Sequence, residues 1–424
     1  MPDRLVLSGL PMYRLRSRGR FSMPRSAAST LVFPVSPVPR AAERDRRRTS
    51  ASSVLRSVLE HGPVARSTVA RLTGLSPASV TEYCARLAGL GLIRESPAPR
   101  RSRGVGRPHV PVELDDARFV VGGVHVAVPY TTVALLDLRG RVLARRELKH
   151  ERTDPGRVLA RAAEGLAALF AEASGRRPLG VGVAVGGWVD RETGTVVEHE
   201  LLGWREVPVR ELLAARTGLP VQVDGHARAL VNGERLFGRA RGSRSVLHLF
   251  VGNVVDAAFA THDEVHHGPR SAAGAIAHLP VPGGTEPCPC GRTGCLQVEL
   301  GERTLCRRAR AAGVTDSANP MHVVAAAAAG DAVARRLLVE RARATGRAAA
   351  LLLDVLNPET VVVTEVGVIH FEECLDALRE AAGNSRSAAV LPTSFPDSVL
   401  AVAGGSVLLD ALFRDPLGAS PEGI

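Results

Sequence analysis

Lysine is almost missing from this chain. Lys149 is the single one among 54 basic residues, so arginine carries nearly all the positive charge. That bias reads as a trait of a GC-rich coding sequence, not of chemistry. No apolar run approaches the roughly 18 residues that a membrane-spanning helix requires, so no membrane association is expected. The 6 cysteines are too few to form a disulfide scaffold in 424 residues and suit a reducing cytoplasm. Acidic side chains are scarce at one end only. Residues 1–112 hold 20 arginines against 6 acids, a balance of +14; the whole chain is +11, so residues 113–424 sum to about −3. A basic module on a slightly acidic body suggests an anionic partner for the front quarter, most simply nucleic acid.

What remains is ordinary for a folded protein, with 45% apolar and 23% charged residues and room for two or three domains. Residues 1–48 are rich in Arg, Ser and Pro and lack periodicity, so a disordered basic head is expected. Met12 or Met23 are alternative starts, and a DNA-binding arm is the functional alternative. The head also has the look of a transit peptide, but nothing else supports an organelle.

Residues 50–114 read as a compact unit. Val54, Leu55, Val58 and Leu59 fall at helical spacing, and His61-Gly62-Pro63 ends that helix. A second helix is expected near Ser67–Leu72. After the turn Thr73-Gly74-Leu75, Ser76 is an N-cap with Pro77 at the first helical position. The third helix should run to about Gly89, with Val80, Cys84 and Leu87 on one face. Ser79, Thr81, Glu82 and Arg86 lie mostly off it. Two short strands, Leu92–Glu95 and Val110–Leu114, flank a basic loop containing Arg100, Arg101, Arg103 and Gly106-Arg107-Pro108. Three helices followed by a two-stranded ribbon make a winged helix-turn-helix. In that arrangement the third helix enters the major groove, where Ser79, Thr81, Glu82 and Arg86 reach base edges. Arg66, Ser67 and the helix N-terminus at Ser76 meet phosphate. Arg103 and Arg107, with Gly106 and Pro108 shaping the wing, reach the minor groove.

Farther on, His278 is followed after nine residues by Cys288-Pro289-Cys290-Gly291-Arg292-Thr293-Gly294-Cys295. Three thiols and an imidazole can complete a tetrahedral zinc shell, and glycines let the loop fold three sulfurs onto one ion. The expected cofactor is therefore a structural Zn2+ on His278, Cys288, Cys290 and Cys295. The pattern His-x9-Cys-x-Cys-Gly-x-x-Gly-Cys resembles the signature of the ROK family (repressors, open reading frames and sugar kinases). The turn Thr73-Gly74-Leu75-Ser76 and the Gly106-Arg107-Pro108 wing are similar to the DNA-binding half of ROK repressors. The resemblance covers about residues 50–412.

Residues 118–240 and 241–412 each alternate strands and helices, with a tail at 413–424. The resemblance implies an α/β fold, the winged helix-turn-helix followed by two lobes of the actin-like ATPase type. The second lobe would hold the knuckle and a last helix opened by Gly404-Gly405-Ser406.

ROK kinases also need a phosphate loop, a base and sugar ligands, and the resemblance locates each. Where the family has Asp-x-Gly-Gly-Thr, this chain has His125-Val126-Ala127-Val128-Pro129, without the acid, the glycines or the last donor. Asn-Asp-Ala-Asn is replaced by Gly225-His226-Ala227-Arg228, so His226 would be a loop histidine without a role. Gly-Glu-x-Gly-His is replaced by Gly274-Ala275-Ile276-Ala277-His278, and the Glu after the knuckle by Gln297. Glu365 stands in a turn where it would repel phosphates. A degenerate ligand site is thus expected at Gly225, His226, Ala275, His278 and Gln297, with no catalytic residue.

The function implied is a cytoplasmic, nucleoid-associated transcriptional regulator of the ROK type, a repressor of carbohydrate-related genes. It would bind a double-stranded operator as a homodimer or homotetramer and respond to a small effector such as a sugar or sugar derivative. The rival readings are a divergent sugar kinase with an attached DNA-binding domain and a protein-interaction scaffold.

Overall fold

A computed structural model describes residues 40–96, 110–173, 175–262, 264–281, 283–383 and 388–418, with backbone alone for 40–48. Its front module has α1 (Arg40–His61), α2 (Arg66–Thr73), α3 (Pro77–Gly89), β1 (Ile93–Glu95) and β2 (Val112–Leu114). Helix α1 begins at Arg40, inside the stretch expected to be a disordered head; residues 1–39 lie outside the described ones. Ser76 accepts a hydrogen bond from Ser79 N at 3.1 Å, and Pro77 follows, so α3 starts where its cap dictates. Val80, Tyr83, Cys84 and Leu87 turn inward from α3. β1 and β2 pair antiparallel, Ile93 opposite Leu114. Three helices thus precede a two-stranded antiparallel ribbon. Its basic loop, with Arg103, Gly106, Arg107 and Pro108, lies outside the described residues.

The first lobe follows with β3 (Phe119–Val126), β4 (Tyr130–Leu136), β5 (Val142–Lys149), α4 (Pro155–Glu172) and β6 (Arg177–Val185). Next come β7 (Trp188–Asp190), β8 (Thr195–His199), β9 (Trp204–Val207), α5 (Val209–Thr217), β10 (Val221–Gly225) and α6 (His226–Leu236). The second lobe contains β11 (Ser245–Val251), β12 (Val255–Thr261), β13 (Glu264–Val265), α7 (Leu296–Leu300), α8 (Glu302–Ala311), α9 (Pro320–Ala328) and α10 (Ala332–Leu356). The chain continues through β14 (Thr360–Glu365), α11 (Val366–His370), α12 (Glu372–Ala382), β15 (Ala389–Pro392) and α13 (Val399–Arg414).

The two main sheets share one topology. Their orders are β10-β6-β3-β4-β5 and β13-β12-β11-β14-β15. In each, the first three strands form an antiparallel meander and the last two run parallel beside the first. Crossover helices cover the parallel part, which is why β3, β6 and β14 read as near-continuous apolar runs. The small sheet β7-β8-β9 hangs off the first lobe and was not expected. Its strands are short and interrupted by turns, so they leave no period in the sequence.

Helix α13 departs from expectation twice. Gly404-Gly405-Ser406 lie in its middle, not at its start. It also packs on β3, β4, β6 and α6, so it belongs with the first lobe. The glycines permit that contact. A Cβ on Gly404 would stand 2.5 Å from Val124 N, and one on Gly123 would stand 2.7 Å from Gly405 N. Only bare backbone lets this helix lie so close on β3.

Candidate metal centre and interlobe cavity

The knuckle brings together all four residues expected to ligate metal. One donor atom from each of His278, Cys288, Cys290 and Cys295 lies within 4.8 Å of the others. Cys288 Sγ is 3.5 Å from His278 Nδ1, and Cys290 Sγ is 3.7 Å from Cys295 Sγ. A tetrahedron with metal–sulfur bonds of about 2.3 Å has edges of about 3.8 Å, so the group could hold a metal ion. Gly291 (φ 86°) and Gly294 (φ 71°) make the left-handed turns that fold the thiols inward. Cys288 N donates to Arg292 O at 2.8 Å and Gly294 N to Glu286 O at 2.8 Å, fixing the loop.

Beside the knuckle, a cavity of about 510 Å³ opens between the lobes. Gly225, Ala275, His278 and Gln297 line it. His226 does not. It is the first residue of α6, not a loop residue, and is 2% exposed. Its Nε2 lies 3.1 Å from Asp256 Oδ2, and its ring packs on Phe250 at 4.0 Å between centroids. His125 stacks on it at 5.7 Å. His199 and His248 are buried too, and both feel His226. Burial first, then the neighbouring imidazoles, pushes His125 well below the usual histidine value. The same causes, burial first and then His226, bring His199 down to about 4 and His248 to about 3.

Gln297 points its amide at protein, not at a ligand. Its Oε1 accepts from Val255 N at 3.0 Å and its Nε2 donates to Asn253 O, so it fixes the β11–β12 turn. The sequence assigned Arg228 no role, yet it is central here. Buried at 5% exposure, it donates from Nε to Asp224 Oδ1 (2.6 Å), from Nη2 to Val189 O (2.9 Å) and from Nη1 to Ser271 O (2.9 Å). One guanidinium thus ties α6 to β7 in the first lobe and to the loop before the knuckle in the second. The clue available was an arginine where the family has Asn, four residues after an Asp.

Glu365 is buried, pairs with Arg341 and accepts from Val368 N at 2.7 Å. Arg341 further donates to the carbonyls of Leu300 and Val251. Glu365 was expected only to repel phosphates; it instead anchors an internal ion pair. His125, near the end of β3, is 1% exposed, and neither of its ring nitrogens has a hydrogen-bond partner among the described residues.

In the front module, Thr81, Glu82 and Arg86 are exposed along α3, and Ser67 is exposed on α2. Ser79 is half-buried and shares a 2.9 Å hydrogen bond with Ser76. Arg66 pairs with Glu95 at 2.9 Å, and Arg86 lies 4.0 Å from Glu82.

Against known proteins, the model of the ROK family matches residues 121–395. A transcriptional regulator of Mycobacterium tuberculosis is 35% identical over 395 residues, covering 88% of this chain and 87% of the relative. A solved ROK family transcriptional regulator, a homologue of the Escherichia coli Mlc protein, superposes with a TM-score of 0.73 at 22% identity, over 88% of this chain and 98% of that one. A ROK family glucokinase from Streptomyces griseus, solved with glucose and AMPPNP, gives 0.60 at 25% identity, over 68% of this chain and 98% of that one.

Proposed function

The chain belongs to the ROK family, and from that premise we propose that it is a sequence-specific DNA-binding transcriptional repressor without kinase activity. The observation that carries this reading is α3. It follows a tight turn, starts at a side-chain cap, buries one face in the module and exposes Thr81, Glu82 and Arg86 on the other. That arrangement supports reading α3 as a recognition helix for the major groove. Arg66, Ser67 and the capped start at Ser76 would contact phosphate, with Arg103 and Arg107 beyond the Gly106 and Pro108 turn serving the wing. Ser79 would then contribute mainly through the cap.

The ion in the knuckle is proposed to be Zn2+, because three sulfurs and one imidazole form a soft tetrahedral set. Its role would be structural, holding the loop that carries His278 against the cavity. A homodimer or homotetramer would present paired recognition helices about one DNA turn apart, which favours a palindromic operator. An effector in the cavity would act by preferring one lobe arrangement over the other. On family grounds the targets are carbohydrate-related genes and the setting is the cytoplasmic nucleoid.

The test is fluorescence anisotropy of the full chain on DNA from upstream of its own gene, over a salt series, with a scrambled duplex as control. Selective binding that weakens with salt supports the regulator. Equal binding to both duplexes counts against self-regulation and moves the search to other operators. The rival kinase reading requires ATP-dependent sugar phosphorylation that His226→Ala abolishes. The internal Arg341–Glu365 pair and the loss of glycines and acid at 125–129 argue against it.

A further inference from the structure

Residues 267–273 lead from β13 towards the knuckle. Both ends of this segment are fixed to the second lobe's own sheet. His266 N donates to Phe259 O at 2.8 Å, and Gly274 O accepts from Ala257 N at 3.0 Å. Between those points the chain is held by the first lobe. Trp188 Nε1 donates to Arg270 O at 2.9 Å. Arg228 Nη1 donates to Ser271 O at 2.9 Å and lies 3.4 Å from Ala273 O. Arg191 donates its backbone N–H to Ser271 Oγ at 3.3 Å and its guanidinium to His267 Nε2 at 3.0 Å. The Arg270 guanidinium lies 5.1 Å from the Trp188 ring centre, 3.5 Å from Glu206 and 3.9 Å from Asp190. Every partner in this set comes from residues 188–228 of the first lobe.

The segment's own shape is unfavourable. Arg270 (φ 49°) and Ser271 (φ 54°) are consecutive left-handed residues, and neither is glycine. An L-residue is disfavoured in that region by roughly tenfold. Such a shape persists only where the surroundings over-determine it. The internal hydrogen bonds, Ser271 N to Gly268 O, Ala272 N to Pro269 O and Ala273 N to His267 O, close short turns and leave the outward carbonyls to the first lobe. Ser271 is accordingly 5% exposed, although it lies on a connecting segment.

We propose that residues 267–273 are a strained strap, a piece of the second lobe kept in shape by donors of the first, and that its release is the conformational step coupled to DNA binding. Clamped, it ties the lobes together; released, it relaxes out of the left-handed region, which gives the element two discrete states. Ser271, Ala272 and Ala273 also line the interlobe cavity, so a ligand there and DNA would bias the same element. The link to DNA rests on reading the chain as a regulator; the clamp does not.

Hydrogen exchange of the full chain, read by mass spectrometry, tests both. The amides of Ser271, Ala272 and Ala273 report the strap, and those of β11 report global unfolding. In wild type the strap should exchange faster than β11 and more slowly than unstructured chain. Trp188→Phe keeps an aromatic ring and removes the donor to Arg270 O. It should speed strap exchange about fivefold to tenfold and leave β11 unchanged. Glu206→Gln, which weakens one exposed pair, should speed it about twofold. Glu264→Gln, on β13 and outside these contacts, should leave it unchanged. Saturation with the duplex that the anisotropy series selects should change strap exchange at least threefold, and the scrambled duplex should not, because coupling between two sites is reciprocal. The clamp is overturned if the wild-type strap exchanges like unstructured chain or like β11, if Trp188→Phe leaves it unchanged, or if that variant speeds β11 equally. Its part in DNA binding is overturned if the selected duplex leaves strap exchange as it was. If no duplex is selected, the regulator reading fails and the link to DNA with it, while the variants still decide the clamp.

Discussion

Ser52 Oγ donates a 2.6 Å hydrogen bond to the carbonyl of Phe413, joining the first helix to the last across 361 positions. The bond marks a continuous core. Val54, Leu55 and Val58 of α1 pack in one cluster with Leu412 and Phe413 of α13 and with Phe119 and Leu136 of the first lobe. Helix α13 also lies along α6, which carries His226 and Arg228. A change in how α6 sits between the lobes therefore meets continuous packing all the way to the front module. That contiguity is a physical route for coupling.

Phe413→Ala tests the shared core. The side chain is fully buried, and removing it should cost about 3–5 kcal/mol. Because the core is shared, thermal unfolding of wild type followed at Tyr83 and at Trp204 should coincide, and the variant should lower both midpoints together. Separate midpoints in wild type would mean that the module unfolds independently.

Arg228→Ala should destabilise strongly. It leaves Asp224 buried, with Arg191 at 4.0 Å as its remaining cation. Breaking a buried pair from one side costs about 3–5 kcal/mol. Combining Asp224→Asn with Arg228→Met removes both charges and should be milder than the sum of the single changes. Urea midpoints for the four proteins complete the cycle, and strict additivity would refute a coupled pair.

Metal removal should loosen the wall of the cavity. Elemental analysis is expected to give one zinc per chain. Chelation, or Cys295→Ser at a position 1% exposed, should lower the melting temperature. If the metal-free chain melts where the loaded one does, the four donors do not form a structural site.

On DNA, Arg66→Ala should weaken binding to all sequences alike and reduce the salt slope by about one, as expected for one phosphate contact. Arg86→Ala and Thr81→Ala should instead change the preferred sequence. The anisotropy series separates these patterns, and uniform losses for all three would remove the recognition role of α3.

The elements with strong local signals were legible in the sequence. Ser76-Pro77 fixes the start of α3, and the apolar runs at 119–126 and 245–251 form strands within the stretches where strands and helices were expected to alternate. The clustering of His278, Cys288, Cys290 and Cys295 was legible from their spacing alone. What the sequence hid depends on distant neighbours. Gly404-Gly405 looked like a helix start because glycine is poor inside helices; its reason lies on β3, some 280 positions earlier. Gln297 looked like a lost sugar ligand and Arg228 was given no role, and only the backbone groups around them reveal that they bind protein. His226 read as an idle loop residue because Asp256, its partner, lies on another lobe.

The buried histidines make stability depend on pH in a defined direction. His199 and His248 have folded-state pKa values of about 4 and about 3, against about 6.5 in an unfolded chain. A depressed value means that the unfolded chain takes up the proton first as pH falls. Stability is therefore full above about pH 6.5 and declines below it, at about 1.4 kcal/mol per pH unit for each histidine. The decline contributed by His199 ends near pH 4 and that of His248 near pH 3, and His125 adds a third term of the same sign. His248→Gln keeps a polar group near Thr364 Oγ1, which lies 3.1 Å from His248 Nε2, and cannot titrate. Urea unfolding between pH 7.5 and 5 should show a slope shallower by about one proton in that variant. Equal slopes in the two proteins would mean that His248 carries the same charge folded and unfolded.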